Sequence, residues 1–442
     1  MSRTNPSLAL RARRSLCFFL PVESSMRRIL ILCVILSLTG YALAVENWPQ
    51  YRGPRGDGRA DNAKLPRTWS EKKNIVWKTA IHDKGWSSPV VWGDQVWVTT
   101  AKDDGSELFA VCLDRDSGKI IHDLKVFDVT DPSKLWQRYN SFASSTPAIE
   151  EGRVFVHYGT YGTACLDTKT GEMLWQRRDL HCDHFRGAAS SPILYGDLLF
   201  LTFDGFDVQY VAALDKTTGK TVWKKQRDIQ FKTKDGDMKK GFGTPAILTV
   251  EGKAQLVSPA AEATIAYDPA TGEELWKVYH GGMNVTAPPL HGFGRIFLCT
   301  GDGGLRLLAV REGGSGDVTA TGIDWVIANK AGVPSRSSPI LVDDLLYMVN
   351  EGGNVSCVEA KTGKQVWQER LYGKYWASPV YADGRLYFFD DSGLGHVLAV
   401  GREWKKPMTN KLDDGCRASP AVAGNALFVR TYKNLYRIEE RP

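Results

Sequence analysis

Long apolar runs are missing from this chain of 442 residues. The longest candidate, 29–38, is too short for a bilayer, which a helix crosses with about 20 residues. A surplus of one charge is also missing from most of the chain. The net charge is +6, but six arginines and one glutamate lie in the first 44 residues, which leaves about +1 for the remainder. A near-neutral body excludes nucleic-acid binding driven by phosphate neutralisation. No nucleophile elbow accompanies a serine, histidine and aspartate in a recognisable hydrolase order, and no glycine-rich loop has the spacing that cradles a phosphate. The Asp204-Gly205 and Asp302-Gly303-Gly304 stretches read as turns. They lack the alternating oxygen-donor spacing of a dedicated calcium loop.

What is present in quantity is glycine, with 43 copies, and tryptophan, with 14. Glycines with many aromatics suit short strands joined by tight turns. One hairpin shows how. In Leu214-Asp215-Lys216-Thr217-Thr218-Gly219-Lys220-Thr221-Val222-Trp223, the Asp215 carboxylate can hold backbone N–H groups two residues on. Gly219 supplies a positive φ, and Trp223 anchors the returning strand. The pattern recurs as Asp167, Gly171 and Trp175, as Asp268, Gly272 and Trp276, and as Glu359, Gly363 and Trp367. It degenerates after Val310 and Val400.

A second marker, a small residue before proline, recurs at Ser88-Pro89, Thr146-Pro147, Ser191-Pro192, Thr244-Pro245, Ala287-Pro288, Ser338-Pro339, Ser378-Pro379 and Ser419-Pro420. These eight prolines open strands where no ladder donor is needed, and their spacing is that of four-stranded propeller blades. In the third unit, strands are expected at 191–195, 198–202 and 210–214, with a fourth ending at Trp223. The last unit stops at Tyr436-Arg437-Ile438, one strand short. Asn74-Ile75-Val76-Trp77-Lys78 is the orphan that completes it. The fold expected is all-β: an eight-bladed propeller of four-stranded antiparallel blades, its ring closed by the N-terminal strand pairing with the last blade, which leaves no open edge there.

Three segments follow from this. Residues 1–44 form a leader with a signal peptide: Met26-Arg27-Arg28 is a basic start, 29–38 its apolar stretch, and Ala42-Leu43-Ala44 a small-residue cleavage site, so the mature chain begins at Val45. An uncleaved signal anchor is the alternative. Residues 45–74 are an arm rich in glycine, proline and arginine, packed on the body by its aromatics. Residues 75–442 are the propeller. The mature chain is expected to be periplasmic or secreted, monomeric and without a membrane span. Of eight cysteines, Cys112, Cys165 and Cys357 share one register position with Ala213, Ala266, Ala309 and Ala399, which marks a small buried slot rather than a disulfide framework. Cys182, Cys299 and Cys416 have no assignable pairing.

The Asp-x-x-Thr-Gly-x-x-x-Trp hairpins and the eight units resemble the PQQ-like repeat β-propellers over residues 46–440. Two branches of that family matter. Quinoprotein alcohol dehydrogenases, including polyvinyl-alcohol dehydrogenase-like enzymes, hold pyrroloquinoline quinone (PQQ) and usually Ca²⁺ over the channel. The propeller that serves the outer-membrane β-barrel assembly machine is non-catalytic and binds proteins with its loops. The dehydrogenases commonly stack the quinone on two adjacent bonded cysteines, and some carry a haem domain. This chain has neither a Cys-Cys pair nor a Cys-x-x-Cys-His sequence. The reading taken is a non-catalytic scaffold for an envelope protein or extracellular polymer, with no cofactor or metal expected. The alternative is a PQQ-dependent dehydrogenase with calcium.

In a propeller the loops that precede each first strand share a face with the loops between second and third strands, at one mouth of the channel. The candidate ligand-binding residues there are Trp86, Asn140, His184, Arg186, Asn284, Arg336, Trp376 and Arg417. Lys240 and the carboxylates Asp204, Asp207, Asp302, Glu351, Asp390 and Asp391 complete a ring of mixed sign. His181-Cys182-Asp183-His184 is the densest group of metal-competent side chains, but adjacent loop residues cannot all face one ion. A hydrogen-bonding role for His184 and Arg186, or a low-pKa thiol at Cys182, are the other readings.

Overall fold

The computed structural model describes residues 46–133, 139–187, 189–328 and 332–440. The expected leader, its signal peptide and the cleavage site lie outside them. Among the described residues no helix is long and apolar enough to cross a membrane.

Eight sheets make up the described chain, each built on four antiparallel strands, and one of them carries a fifth, parallel strand at its edge. Together they form a propeller. Blade 3 shows the logic: Ile193–Tyr195, Leu198–Asp204, Gln209–Asp215 and Thr221–Gln226 run from the channel outward. The two middle strands are buried almost throughout, because each lies between two neighbouring blades. The outer strand buries Trp223 alone. One large side chain therefore fixes the rim of this blade.

The hairpin chemistry is as expected. Asp215 Oδ1 accepts the N–H groups of Thr217 at 3.1 Å and Thr218 at 2.7 Å, and Gly219 has φ 69°. The tryptophan then docks on the following blade. Trp223 Nε1 donates to Pro269 O at 2.9 Å, and its ring lies so close to Gly272 that a Cβ there would meet it at 2.7 Å. Trp175 on Lys216 O, Trp325 on Ala360 O and Trp77 on Arg115 O repeat the bond. In blade 1 His122 replaces the tryptophan and stacks on Trp97.

The shared Cys/Ala slot has a steric reason. Cys165 pairs with Phe155 on one side and Trp175 on the other; Ala213 stands likewise between Phe200 and Trp223, Ala309 between Phe297 and Trp325, and Cys357 between Tyr347 and Trp367. A small side chain lets the flanking aromatics meet above it, with ring centres 6.0 Å apart for Phe155–Trp175 and 5.8 Å for Phe200–Trp223. In blade 7 the slot belongs to Val397, opposite Tyr387; Ala399 pairs with Arg385 instead. All six described cysteines are buried free thiols.

The degenerate turn after Val310 becomes a long excursion. Its Gly316–Asp317 pair adds a short parallel strand outside Trp276 and Lys277 of blade 4. Trp276 accordingly bonds within its own blade, to Gln255 Oε1 at 2.8 Å. The turn after Val400 instead supplies Gly401 O and Trp404, which receive Trp367.

Blade 8 joins both ends of the described chain. Ala421–Ala423, Ala426–Arg430 and Asn434–Ile438 are followed, outermost, by Ile75–Ala80, with Thr79 opposite Leu435 and Lys78 opposite Tyr436.

The arm does more than pack on the body by its aromatics. It crosses the channel along the innermost strands. Trp48 exchanges backbone bonds with Val91 of blade 1, Pro49 O accepts Ile149 N–H of blade 2, and Gly58 and Ala60 bond Tyr381 of blade 7. Arg52, 2% exposed, donates to Pro339 O at 2.9 Å and Asp57 O at 2.7 Å. Trp69 then stacks on Phe389 outside the lumen.

Candidate functional site: an arginine-lined mouth

The loops before each first strand carry most of the site. A cavity of about 150 Å³ opens among them. It brings together six of the expected residues: Trp86, Asn140, Arg186, Arg336, Trp376 and Arg417. Arg417 is the centre. Its Cζ lies 4.5 Å from the ring centre of Trp86 and 4.3 Å from that of Trp376, so the guanidinium is held between two indoles. Arg336 sits beyond, with Cζ 5.7 Å from Trp376, and donates to Asp302 Oδ2 at 3.0 Å. Thr286 holds that loop by donating to Ser335 O and Arg336 O. Asn140 does the same three blades earlier, donating to Arg186 O at 2.6 Å and Gly187 O at 3.1 Å.

His184 and Asn284 do not line the cavity. His184 is buried behind it, against Phe242 at 4.8 Å between ring centres and 3.4 Å from Gly241 O. Burial lowers its pKa to about 4, so the ring is neutral. Asn284 donates to Asp302 Oδ2 at 3.0 Å and takes φ 55° in its loop.

Carboxylates stand beside the arginines of the mouth: Arg336 pairs with Asp302 at 3.0 Å and Arg186 with Asp237 at 3.8 Å. Among the described residues the cavity wall holds three arginines and no carboxylate. The carboxylates are engaged behind it. Asp204 makes a buried bidentate pair with Arg227 at 2.6 and 2.8 Å. Asp207 accepts Asp183 N–H, Glu351 caps Ser335, and Asp390 holds Ser392 and Leu394. Lys240 turns to Asp237. Burial raises the Asp391 carboxyl against the pull of Arg417 and Lys374.

At the His181-to-His184 loop, as elsewhere among the described residues, no three His, Cys, Asp or Glu side chains converge as ligands. Nor is Cys182 an activated thiol. It is buried, and burial together with Asp204, Asp207 and Asp183 pushes its pKa up.

Sequence reasoning missed the floor. Tyr51 of the arm closes the cavity from inside the channel, with its hydroxyl 3.0 Å from Ser378 Oγ. On its other side lies a second cavity of about 430 Å³, walled by the arm and blades 3 to 6. It also missed that the small residues before proline face the lumen. Five of the eight accept an N–H from the preceding blade: Ser88 N–H donates to Thr146 Oγ1, Thr146 to Ser191, Ser191 to Thr244, Ser338 to Ser378, and Ser378 to Ser419, all at 2.9–3.0 Å. A hydroxyl at seven of the eight positions was the available signal.

Comparison with known proteins places this architecture. The sequence profile of the family described as outer membrane protein assembly factor BamB matches residues 111–208 and 207–441. The chain belongs to that family. A BamB of Shewanella oneidensis is 22% identical over 248 residues, 52% of this chain and 57% of its own length. A 1-butanol dehydrogenase (quinone) of Thauera butanivorans is 35% identical over 163 residues, 31% of this chain and 24% of its own length. The chain thus spans about half or less of these relatives. The crystal structure of BamB from Moraxella catarrhalis superposes with a TM-score of 0.59 at 14% identity, covering 83% of this chain and 98% of that one. At such identity the likeness concerns the fold.

Proposed function

We propose that the protein is an exported, non-catalytic binding scaffold of the cell envelope that takes a protein or polymer partner at its mouth. The observation that carries this reading is the Trp86–Arg417–Trp376 stack. A guanidinium already fills the gap between the two indoles, so the mouth presents N–H donors rather than an open slot for a flat ring. Membership in the BamB family, named for outer-membrane protein assembly, agrees with it.

The second reading, a PQQ-dependent alcohol dehydrogenase, draws on the quinone-dependent relative. The residues present fit that group poorly. No vicinal cysteines offer a stacking floor, Tyr51 stands at the cavity base, and the mouth carboxylates are committed to loop backbone and to arginines.

Two measurements separate the readings. Cross-linking in intact envelope, followed by affinity purification, is expected to recover a specific partner with the native protein and to lose it with Arg336→Glu. Stoichiometric uptake of PQQ in the presence of Ca²⁺, with dye-linked alcohol turnover, would replace the scaffold reading by the enzymatic one.

A further inference from the structure

We propose a second binding site, in the channel beyond Tyr51: the bare inner edge of blade 4 takes an extended apolar peptide segment of a partner protein as an added strand. The site is separate from the mouth and does not rest on the reading given for it.

The first observation is the edge itself. Ala246–Val250 is the innermost strand of blade 4 and the last strand on that side of its sheet. It has five residues, where the innermost strands of the other seven blades have three. Val250 faces Lys253 across a two-residue turn with φ 49° at Glu251 and 78° at Gly252. Ala246, Leu248 and Val250 therefore bond to the second strand, and Ile247 and Thr249 aim their N–H and C=O groups at the lumen. Among the described residues those groups meet no partner. Ile247 is half-buried and Thr249 exposed. Sheet edges are ordinarily blunted by shortness, charge or proline. This one is long, carries no charge and is rich in β-branched residues. In blade 5 the neighbouring edge is blunted, since Pro288 and Pro289 have no N–H to offer.

The second observation is that the channel already binds chain in this way. Val91 stands one residue before its turn, as Thr249 does, and exchanges both outward bonds with Trp48 of the arm. Ile149 N–H donates to Pro49 O, Leu194 N–H to Gln50 Oε1 at 3.3 Å, and Tyr381 bonds Gly58 and Ala60. Arg59 Nη1 donates to Leu341 O at 3.1 Å. The arm thus tends the inner edges of blades 1, 2, 3, 6 and 7. Between Gln50 and Gly58 it bonds to itself, Gly53 N–H to Gln50 O, Gly56 to Gly53 and Gly58 to Arg52. Blade 4 receives nothing from it.

The third is the space left beside that edge. The second cavity, about 430 Å³, is lined by Ile247, Leu248 and Thr249 on one side and by the arm on the other. Its charged groups are paired: Arg55 with Asp57 and Asp61, Arg59 with Asp61, and His291 with Glu312. What remains open is apolar wall, Leu194, Pro288 and Leu341 among it, beside unpaired backbone. Main-chain bonds would hold a strand there, and the wall would select alternate apolar side chains. The volume suits a few extended residues, not a folded domain.

The test is fluorescence anisotropy of the full chain with a labelled, capped peptide of alternating threonine and valine, joined to amide hydrogen exchange. The peptide is expected to bind with a Kd below about 1 mM and to slow exchange at Ile247 and Thr249. The same peptide N-methylated at its central residues keeps its side chains, loses its donors and is expected to bind at least about tenfold more weakly. Thr249→Pro removes an N–H that the sheet does not use and is expected to weaken binding about tenfold at an unchanged melting temperature. Thr249→Lys, a charge at an exposed position, is expected to do the same if the proline variant folds badly, and the methylated peptide needs no variant. No binding, equal binding of the methylated peptide, or protection confined to the mouth loops overturns the proposal. Amides of Ile247 and Thr249 already protected without peptide would show the edge held by the chain itself. Dimerisation that competes with the peptide would show a second copy there. Either result overturns the assignment to a partner protein.

Discussion

At the scale of single residues, the rim of each blade depends on a match of volumes. Trp223 is the one buried side chain of its strand, bonded to Pro269 O and seated on Gly272. Trp223→Ala is expected to cost about 3–5 kcal/mol in denaturant unfolding. The facing position is equally constrained from the other direction. Ala213 leaves just enough room for Phe200 and Trp223 to meet, so Ala213→Leu is expected to cost about 1–3 kcal/mol by overpacking. Cys165→Ala, by contrast, should change stability far less than either. These residues were legible because each works within its own hairpin or at a fixed step from it. Arg417 was legible as a candidate, but its place between two tryptophans was not. Trp86 lies at one end of the chain and Trp376 and Arg417 near the other, and no local pattern links them.

At the scale of elements, the blade count and the split final blade could be read from repeat markers, since every unit carries the same strand and turn chemistry. The excursion after Val310 could be seen only as a missing turn. Its return as a fifth strand on blade 4 depends on Trp276 and Val318 packing together, a contact made between units. The arm misled more, because breakers make a segment look like surface whether it lies on the body or inside it. The strand Ile75–Ala80 gives the clearest test at this scale. Without it, Asn434–Ile438 becomes a bare edge and Trp77 no longer covers Gly118. Deletion of residues 75–80 is expected to lower the melting temperature by far more than a rim substitution and to promote aggregation, as seen by calorimetry and light scattering. Arg227 joins Asp204 of its own blade to Ser258 of the next, and this buried link should also show. Arg227→Ala strands Asp204 in the interior, and a loss of about 3–5 kcal/mol is expected.

At the scale of the whole molecule, the histidines set a common response to acid. Burial lowers the pKa values of His157, His184 and His280 to about 4, from an ordinary 6.5. A base whose folded value is depressed takes up its proton more readily when unfolded. Its contribution is intact above about pH 6.5 and is lost progressively as the pH falls toward about 4. The melting temperature is therefore expected to drop between about pH 7 and pH 5. His280→Gln, which can keep a bond to Thr264 Oγ1, should show a shallower drop. His82 runs the other way: burial opposes its protonation, but bonds to Asp83 and Asp123 outweigh it and raise the pKa. Comparing each variant with the parent isolates its own share.

The arm and the closing strand impose a temporal order on the chain. Residues 46–80 are synthesised before any blade, yet their partners include Pro379, Tyr381 and Leu435. The bond from Tyr436 to Glu71 spans 365 positions. Loops of that length close late, after the contacts that are near in sequence. What is made first must therefore wait, unpaired, until the last strand exists. Refolding is expected to end in a slow phase that reports on Trp48, Trp69 and Trp77 while the inner blades are already protected from hydrogen exchange. A chain that stops short of Asn434 would leave its own beginning with nowhere to go.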